Sequence, residues 1–167
     1  KIGCDTETSG LSARRGRLYS VQFSDGELNV LVPVSEGVGL GKMSAILENP
    51  RQTKIFHNAK FDLEFLRENG YQTQNVFDTM IAEKVLTKGA DQSASLAETL
   101  YRYFAVDLDK SPRAIFTKNW NGIWTDELVN YALADVVYLP ELMREQSLWL
   151  ERLGLEAEFE RQMRRVL

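Results

Sequence analysis

The first strand that this sequence predicts ends in two acids. Asp5 and Glu7 lie in IGCDTETSGL, residues 2–11, where an apolar segment gives way to polar residues and a glycine. Alternate side chains of a strand share one face, so these two carboxylates point the same way, about 6 to 7 Å apart at the backbone. Like charges repel, so the fold must supply something that compensates both acids at this end of the strand.

The rest of the pattern predicts an α/β domain. Two segments of alternating polarity meet at Asp25-Gly26, a strong hairpin signal, so three antiparallel strands open the chain. Pro140 is expected to kink or break the longest helix. Strands followed by mixed strands and helices indicate a mixed sheet. The predicted strands are 2–5, 17–25, 27–34 and 53–58, and the predicted helices are 41–48, 59–69, 79–86, 95–105, 125–147 and 155–167.

Length and composition predict one domain, residues 1–167, with a core of ordinary size. The net charge is −4, so no overall positive field attracts a nucleic acid. This argues against a tight nucleic-acid-binding module. It does not argue against a nuclease, because acids that hold divalent cations place positive charge where a phosphate would lie.

The sequence also bears on location. No apolar run approaches the roughly 18 residues that span a bilayer, and no signal peptide is visible, so we expect no membrane partner. Cys4 is the single cysteine and is expected to be a buried, inert thiol. A cytoplasmic, nucleoid-associated location or an equivalent reducing compartment follows as an expectation. Because the chain enters a strand directly after Lys1, we also expect a domain cut from a longer protein.

Two further acids lie at informative positions. Asp62 is in HNAKFD, in the first turn of a helix after a buried strand, and Asp135 is in YALAD, four residues after Tyr131. Residues i and i+4 of a helix share a face, so Tyr131 and Asp135 present a phenol and a carboxylate to one site. If all four acids converge, hard divalent cations are the natural compensation, and two such ions can hold the attacking and leaving oxygens of a phosphodiester.

Each acid taken alone has a structural explanation. A D-x-E pair is usually a solvated strand edge, Asp62 suits the helix dipole, Asp135 could be a surface acid, and Tyr131 a core aromatic. The combination of the three motifs, in this order and spacing, favours the catalytic interpretation.

The three motifs resemble those of the DEDD superfamily of 3′→5′ exonucleases. DTETSGL is similar to the first motif of that superfamily, HNAKFD to the second and YALAD to the third, and the resemblance covers essentially all of the chain. One branch of the superfamily has a His five residues before its last acid, and here that position is Asn130. The chain therefore resembles the Tyr-containing branch, which implies a ribonuclease-H-like fold with a mixed five-stranded sheet flanked by helices.

The resemblance implies roles for the acids. Asp5, Glu7 and Asp135 would hold a first divalent cation, and Asp5 and Asp62 a second, the latter largely through water; the two ions would be Mg²⁺ or Mn²⁺. Tyr131 would orient the attacking water and help to deprotonate it. The products would be nucleoside 5′-monophosphates released from a 3′ end.

The resemblance also suggests residues that bind substrate. Leu11 matches a residue that wedges against the terminal base, and Thr8 and Asn58 match positions near the 3′ end, although Leu11 could equally be core and Asn58 could hold its loop. Lys110 and Arg113 match a basic loop that precedes the third motif. These cations belong to residues 106–124, where Trp and Phe residues either offer stacking surfaces to single strands or simply cover the core.

Two other polar residues in these segments favour a structural role. His57 ends a buried strand, and because it is the single His, no second His could help it complete a zinc site. Asp78 is placed to cap the helix that follows it.

Two classes of enzyme with different nucleic-acid substrates fit these motifs. The main expectation is the proofreading exonuclease of a family A (DNA polymerase I-like) polymerase, which prefers single-stranded or mispaired DNA over RNA. We expect this domain to be a monomer, with 154–167 as a linker helix toward a polymerase domain in the same chain. The alternative is a ribonuclease D-like enzyme that trims RNA 3′ ends. A third possibility, an inactive fold used for interaction, is disfavoured because the four acids and Tyr131 are intact.

Overall fold

A single mixed sheet forms the centre of the domain. The structure, a computed structural model, describes residues 1–88 and 90–167. The strand order is β3-β2-β1-β4-β5, with β1–β3 antiparallel and with β4 and β5 parallel to β1. This confirms the predicted α/β fold with a mixed five-stranded sheet. The strands are β1 (Ile2–Thr8), β2 (Leu18–Ser24), β3 (Asn29–Pro33), β4 (Lys54–Phe56) and β5 (Val76–Asp78).

Helices flank the sheet, and most begin and end within a few residues of the predicted bounds. One short 3₁₀ turn, Gly41–Met43, precedes α1, and another, Ser111–Ile115, lies in the segment that joins α4 to α5. The helices of the described residues are α1 (Ser44–Glu48), α2 (Ala59–Glu68), α3 (Thr79–Leu86), α4 (Leu96–Phe104), α5 (Asp126–Ala134), α6 (Leu139–Arg152) and α7 (Glu156–Met163).

The predicted helix 125–147 is in fact two helices. The turn at 135–138 separates α5 from α6, and Pro140 lies in the first turn of α6. A proline is tolerated there because the first N–H groups of a helix have no partner within that helix. The break therefore comes earlier than the proline, and it leaves Asp135 at the C-terminal end of α5.

The two faces of the sheet carry separate apolar cores. Consecutive residues of β4 point to opposite faces, so Phe56 packs with Leu63 and Leu66 of α2, whereas Ile55 packs with Leu139 and Leu142 of α6. Both β4 residues are fully buried. The sheet is thus covered on both sides, and the site must lie at an end of its strands.

Gly3 lets the turn between α5 and α6 approach β1 closely. A Cβ atom at this position would lie 2.7 Å from the carbonyl oxygen of Val136 and 3.0 Å from Cβ of Leu139. The same strand carries Asp5 two residues later, and the same turn begins with Asp135. The missing side chain therefore helps to bring the two acids together.

The last helix packs against the domain. The rings of Phe159 in α7 and Phe77 in β5 lie 4.8 Å apart between centroids, and Met163 is buried. That residues 154–167 lead toward a following domain stays a prediction. Among the described residues, no helix combines the length and the apolar character that crossing a membrane requires.

We expect Gly3→Ala to lower the free energy of unfolding by about 1 to 3 kcal/mol, the usual cost of adding a methyl group to a tightly packed position. Urea unfolding followed by circular dichroism measures the change. Gly10→Ala is the control, because a Cβ atom there would meet nothing within 4 Å. Equal stability of the two variants would show that the close approach at Gly3 is not tight in solution.

Candidate active site

A cleft of about 700 Å³ opens at the carboxyl end of β1. This volume is within the usual range for pockets that bind small molecules or cofactors. All ten candidate residues line the cleft, contributed by β1 and the loop after it, the start of α2, the 3₁₀ turn and α5: Asp5, Glu7, Thr8, Leu11, Asn58, Asp62, Lys110, Arg113, Tyr131 and Asp135.

Three of the four acids form a tight cluster. One carboxylate oxygen from each of Asp5, Glu7 and Asp135 lies within 4.8 Å of the others. Glu7 and Asp135 are each only 8% exposed, and Asp5 is partly buried. The strand period aligns Asp5 with Glu7, and the turn after α5 adds Asp135, so the arrangement follows from the two elements that carry it.

Asp62 lines the same cleft but is held separately from this cluster. Its Oδ1 accepts hydrogen bonds from the hydroxyl of Thr6 at 2.6 Å and from the backbone N–H of Thr6 at 3.2 Å. Thr6 points to the face of β1 opposite to Asp5 and Glu7, which is the face that α2 covers. Strand β1 therefore carries Asp5 and Glu7 on one face and contacts Asp62 through Thr6 on the other.

Burial and mutual repulsion raise the pKa values of these acids. Burial, reinforced by Asp135, raises the pKa of Glu7 to about 8. Burial also raises the pKa of Asp62 to about 7, although its bonds from Thr6 act in the opposite direction. The pKa of Asp5 rises through burial and through Asp62, and burial raises that of Asp135. At neutral pH the cluster therefore binds either protons or cations.

The ammonium group of Lys110 places one positive charge directly beside the acids. Its Nζ lies 2.6 Å from Oδ1 of Asp135 and 5.7 Å from the ring centroid of Tyr131. Together with the nearby guanidinium of Arg113, this ammonium opposes the rise in the pKa of Glu7 and Asp135. The residue that the sequence assigned to substrate binding thus contacts one of the acids.

An aromatic cluster fixes the ring of Tyr131. The ring stacks on Phe116, with centroids 6.1 Å apart and an interplanar angle of 22°. Phe116 in turn contacts Trp120 and Trp124, and Tyr19 of β2 donates a hydrogen bond to the carbonyl of Thr117. Of the two interpretations of these aromatic residues, the structure favours packing over a free stacking surface. Burial and the neighbouring Glu7 raise the pKa of Tyr131, so its phenol keeps its proton at neutral pH.

The remaining candidates lie at the edge of the cleft. Leu11 is 89% exposed, so it is not a core residue. The hydroxyl of Thr8 donates a hydrogen bond to the carbonyl of Gly10 at 2.9 Å. Asn58 is exposed, has a φ of +70°, and its backbone N–H donates to Oδ1 of Asp78 at 3.1 Å. All three side chains are within reach of a molecule in the cleft.

The two residues expected to be structural make structural contacts. Asp78 accepts hydrogen bonds from the backbone N–H groups of Asn58, Ala59 and Met80, so it caps α3 and also holds the start of α2. His57 contacts the hydroxyl of Thr79 at 2.8 Å and the carbonyl of Ala94 at 2.7 Å.

Sequence reasoning missed two residues that contact the acids, Thr6 and Gln22. Thr6 lies between Asp5 and Glu7 in the sequence, but its hydrogen bond to Asp62 depends on how α2 packs against β1. Gln22 of β2 is the cross-strand partner of Asp5, and its amide nitrogen lies 3.3 Å from Asp5 Oδ2. The register between β1 and β2 was the only signal that could have pointed to it.

Comparison with known proteins identifies the family of this chain. The model of the 3′-5′ exonuclease family matches residues 1–151. Ribonuclease D of Jannaschia sp. (strain CCS1) is 38% identical over 130 residues, which are 77% of this chain and 32% of that protein. DNA polymerase I of Aquifex aeolicus is 30% identical over 153 residues, 91% of this chain and 24% of that protein.

A solved structure shows the same fold over nearly the whole chain. Brucella melitensis NrnC with bound Mg²⁺ superposes with a TM-score of 0.86 at 30% identity, over 99% of this chain and 80% of that one. The chain spans about a third of the length of the ribonuclease D sequences that it matches. Because the family match covers residues 1–151 and includes every residue of the acidic cluster, the chain belongs to the 3′-5′ exonuclease family.

Proposed function

We propose that the protein is a metal-dependent exonuclease that trims RNA from its 3′ end and releases nucleoside 5′-monophosphates. The observation that carries the proposal is the cluster of Asp5, Glu7 and Asp135, whose carboxylate oxygens lie within 4.8 Å of one another in an open cleft. The sequence resemblance favoured DNA as the substrate. The relatives support RNA better, since ribonuclease D is 38% identical and DNA polymerase I 30%.

The donor set fits a hard divalent cation. Carboxylate oxygens are the ligands that Mg²⁺ and Mn²⁺ prefer, and burial makes bare charges at these positions costly unless a cation is present. Asp5, Glu7 and Asp135 would hold one ion, and Asp5 and Asp62 a second. Such ions, when bound, activate the attacking water and stabilise the leaving oxygen. The structure of NrnC with bound Mg²⁺ supports this choice of metal.

The other residues of the cleft would act on the substrate directly. The phenol of Tyr131 keeps its proton, so its role is to orient the attacking water by a hydrogen bond rather than to act as a phenolate base. Lys110 and Arg113 place positive charge beside the acids, where a phosphate of the substrate would lie. The exposed side chain of Leu11 would pack on the terminal base at the edge of the cleft.

DNA is the second candidate substrate, because DNA polymerase I is among the relatives. In that case the domain would remove mispaired nucleotides for a polymerase domain in the same chain. The acidic cluster fits RNA and DNA equally well, so the preference for one of them depends on the contacts between the cleft and the sugar of the substrate.

We expect RNA to be shortened faster than DNA. RNA and DNA oligonucleotides of the same sequence, each labelled at the 5′ end, are incubated with MgCl₂ or MnCl₂ and the products are identified by mass. Stepwise loss from the 3′ end, release of 5′-monophosphates and no reaction in EDTA are the expected results. Faster digestion of single-stranded DNA would favour the second candidate, and intact substrates under all conditions would refute both.

Substitutions should separate metal binding from orientation of the water. Asp5→Asn removes a charge from the cluster and should abolish turnover together with metal binding. Tyr131→Phe keeps the ring and its stacking on Phe116 and should slow turnover by less than the roughly 10²- to 10⁴-fold that loss of a positioned proton-transfer group costs, because the phenol orients the water and does not take its proton. Calorimetric titration with MnCl₂ should show normal metal binding for Tyr131→Phe. Equal turnover of Asp5→Asn and wild type would contradict the assignment of the metal ligands.

The stability of the metal-free protein should fall as the pH rises from 7 to 8. Glu7 keeps its proton up to about pH 8 when folded but only to about pH 4.5 when unfolded, so the folded state binds more protons in this interval. His57 acts in the opposite direction, but only at lower pH, because burial lowers its pKa below 6.5. In EDTA we expect the melting temperature to drop by about 2 to 4 °C for each kcal/mol lost.

Thermal unfolding in EDTA and in MgCl₂ tests this pH dependence. Metal should reduce or reverse the drop, because cations replace the protons as compensation for the acids. Glu7→Gln is the matched variant and should show a shallower fall in EDTA. A metal-free protein that becomes more stable over this interval would contradict the raised pKa values.

A further inference from the structure

A buried pair of neutral side chains lies beneath the acidic cluster. Gln22 and Ser20 of β2 are both 0% exposed. The amide nitrogen of Gln22 lies 3.3 Å from Asp5 Oδ2, and the hydroxyl of Ser20 lies 2.5 Å from the amide oxygen of Gln22. The antiparallel register pairs Asp5 with Gln22 and Glu7 with Ser20, so both acids face this pair from the neighbouring strand.

Chemistry fixes the direction of these hydrogen bonds. A carboxylate that holds a cation is ionised and only accepts, so in the metal-binding state the NH₂ group of Gln22 must face Asp5 and its oxygen must face away. The hydroxyl of Ser20 donates to that oxygen and holds the amide in this orientation. The chain of donors therefore runs from Ser20 through Gln22 to Asp5.

We infer that Gln22, held by Ser20, is a positioning residue that fixes the carboxylate of Asp5 for divalent-metal binding. The inference rests on the proposed function, and it concerns a residue that touches no substrate, because its side chain is fully buried and does not line the cleft. A carboxylate with one oxygen held in place loses less freedom when it binds an ion.

A neutral donor suits this position better than a charged one. Lys110 already pairs with Asp135, and a second ammonium beside Asp5 would compete with a metal ion for the same oxygens. An amide orients the carboxylate without adding charge. Hydrogen-bond partners of metal ligands typically contribute about 10- to 100-fold to metal affinity or activity.

The test is a calorimetric titration of the whole protein with MnCl₂. Gln22→Met keeps the size of the side chain and removes the donor, and we expect its dissociation constant for Mn²⁺ to rise about 10- to 100-fold. Ser20→Ala leaves Gln22 in place but frees its amide, and a smaller rise in the same direction is expected. Saturating MnCl₂ should restore turnover of RNA in both variants, with the KM for RNA unchanged.

Gln146→Met is the matched control. Gln146 of α6 is also 0% exposed, and its amide nitrogen donates to the carbonyl of Thr79 at 2.9 Å and to Glu83 Oε2 at 3.3 Å, neither of which belongs to the acidic cluster. This variant should lose stability but bind Mn²⁺ as the wild type does. A weakened Mn²⁺ affinity in all three variants would indicate general loosening and overturn the inference.

The outcomes distinguish this inference from the proposed function. Wild-type protein that neither binds Mn²⁺ nor releases nucleotides would refute the proposed function itself. Wild-type protein that does both, with unchanged Mn²⁺ affinity in Gln22→Met, would refute only the role of Gln22. If Gln22→Met does not fold, Ser20→Ala decides, and an unchanged Mn²⁺ affinity in that variant likewise overturns the inference.

Discussion

Repulsion between buried carboxylates is the constraint that organises this domain. Asp5, Glu7 and Asp135 meet at the end of β1, and their burial raises their pKa values instead of allowing them to ionise freely. Two neighbouring residues compensate in different ways: Lys110 by its charge beside Asp135, and Gln22 by a neutral hydrogen bond to Asp5. Thr6 does the same as Gln22 for the fourth acid, Asp62. A cation that enters the cluster therefore meets ligands that are already held in place.

Aromatic packing beside the cleft determines where the side chains of Lys110 and Arg113 lie. Residues 106–124 have little regular structure beyond the turn at Ser111–Ile115, yet this segment carries both Lys110 and Arg113. Phe116 anchors the segment to Tyr131, and Trp120 anchors it to Tyr19 of β2. The aromatic cluster thus couples the position of the phenol to that of the two cations, and loosening one would displace the other.

Some of this site follows from sequence because it depends on local periodicity. The period of a strand places Asp5 beside Glu7, and the period of a helix places Tyr131 near Asp135. The break between α5 and α6 was predicted at the wrong place, because Pro140 fits the first turn of a new helix and the chain turns before it. The bonds from Thr6 to Asp62 and from Lys110 to Asp135 join residues 56 and 25 positions apart and depend on tertiary packing, which no local pattern encodes.

The two helices that carry acids expose them to opposite electric fields. Asp62 lies in the first turn of α2, where the aligned peptide dipoles favour an anion, whereas Asp135 follows the last turn of α5, where the same dipoles disfavour one. Near Asp135, the partial negative charge at the end of α5 adds to the negative charge of the carboxylates. Near Asp62, the partial positive charge at the start of α2 offsets part of that negative charge. For the two cations proposed above, the helix ends favour binding beside α5, so that ion should bind first.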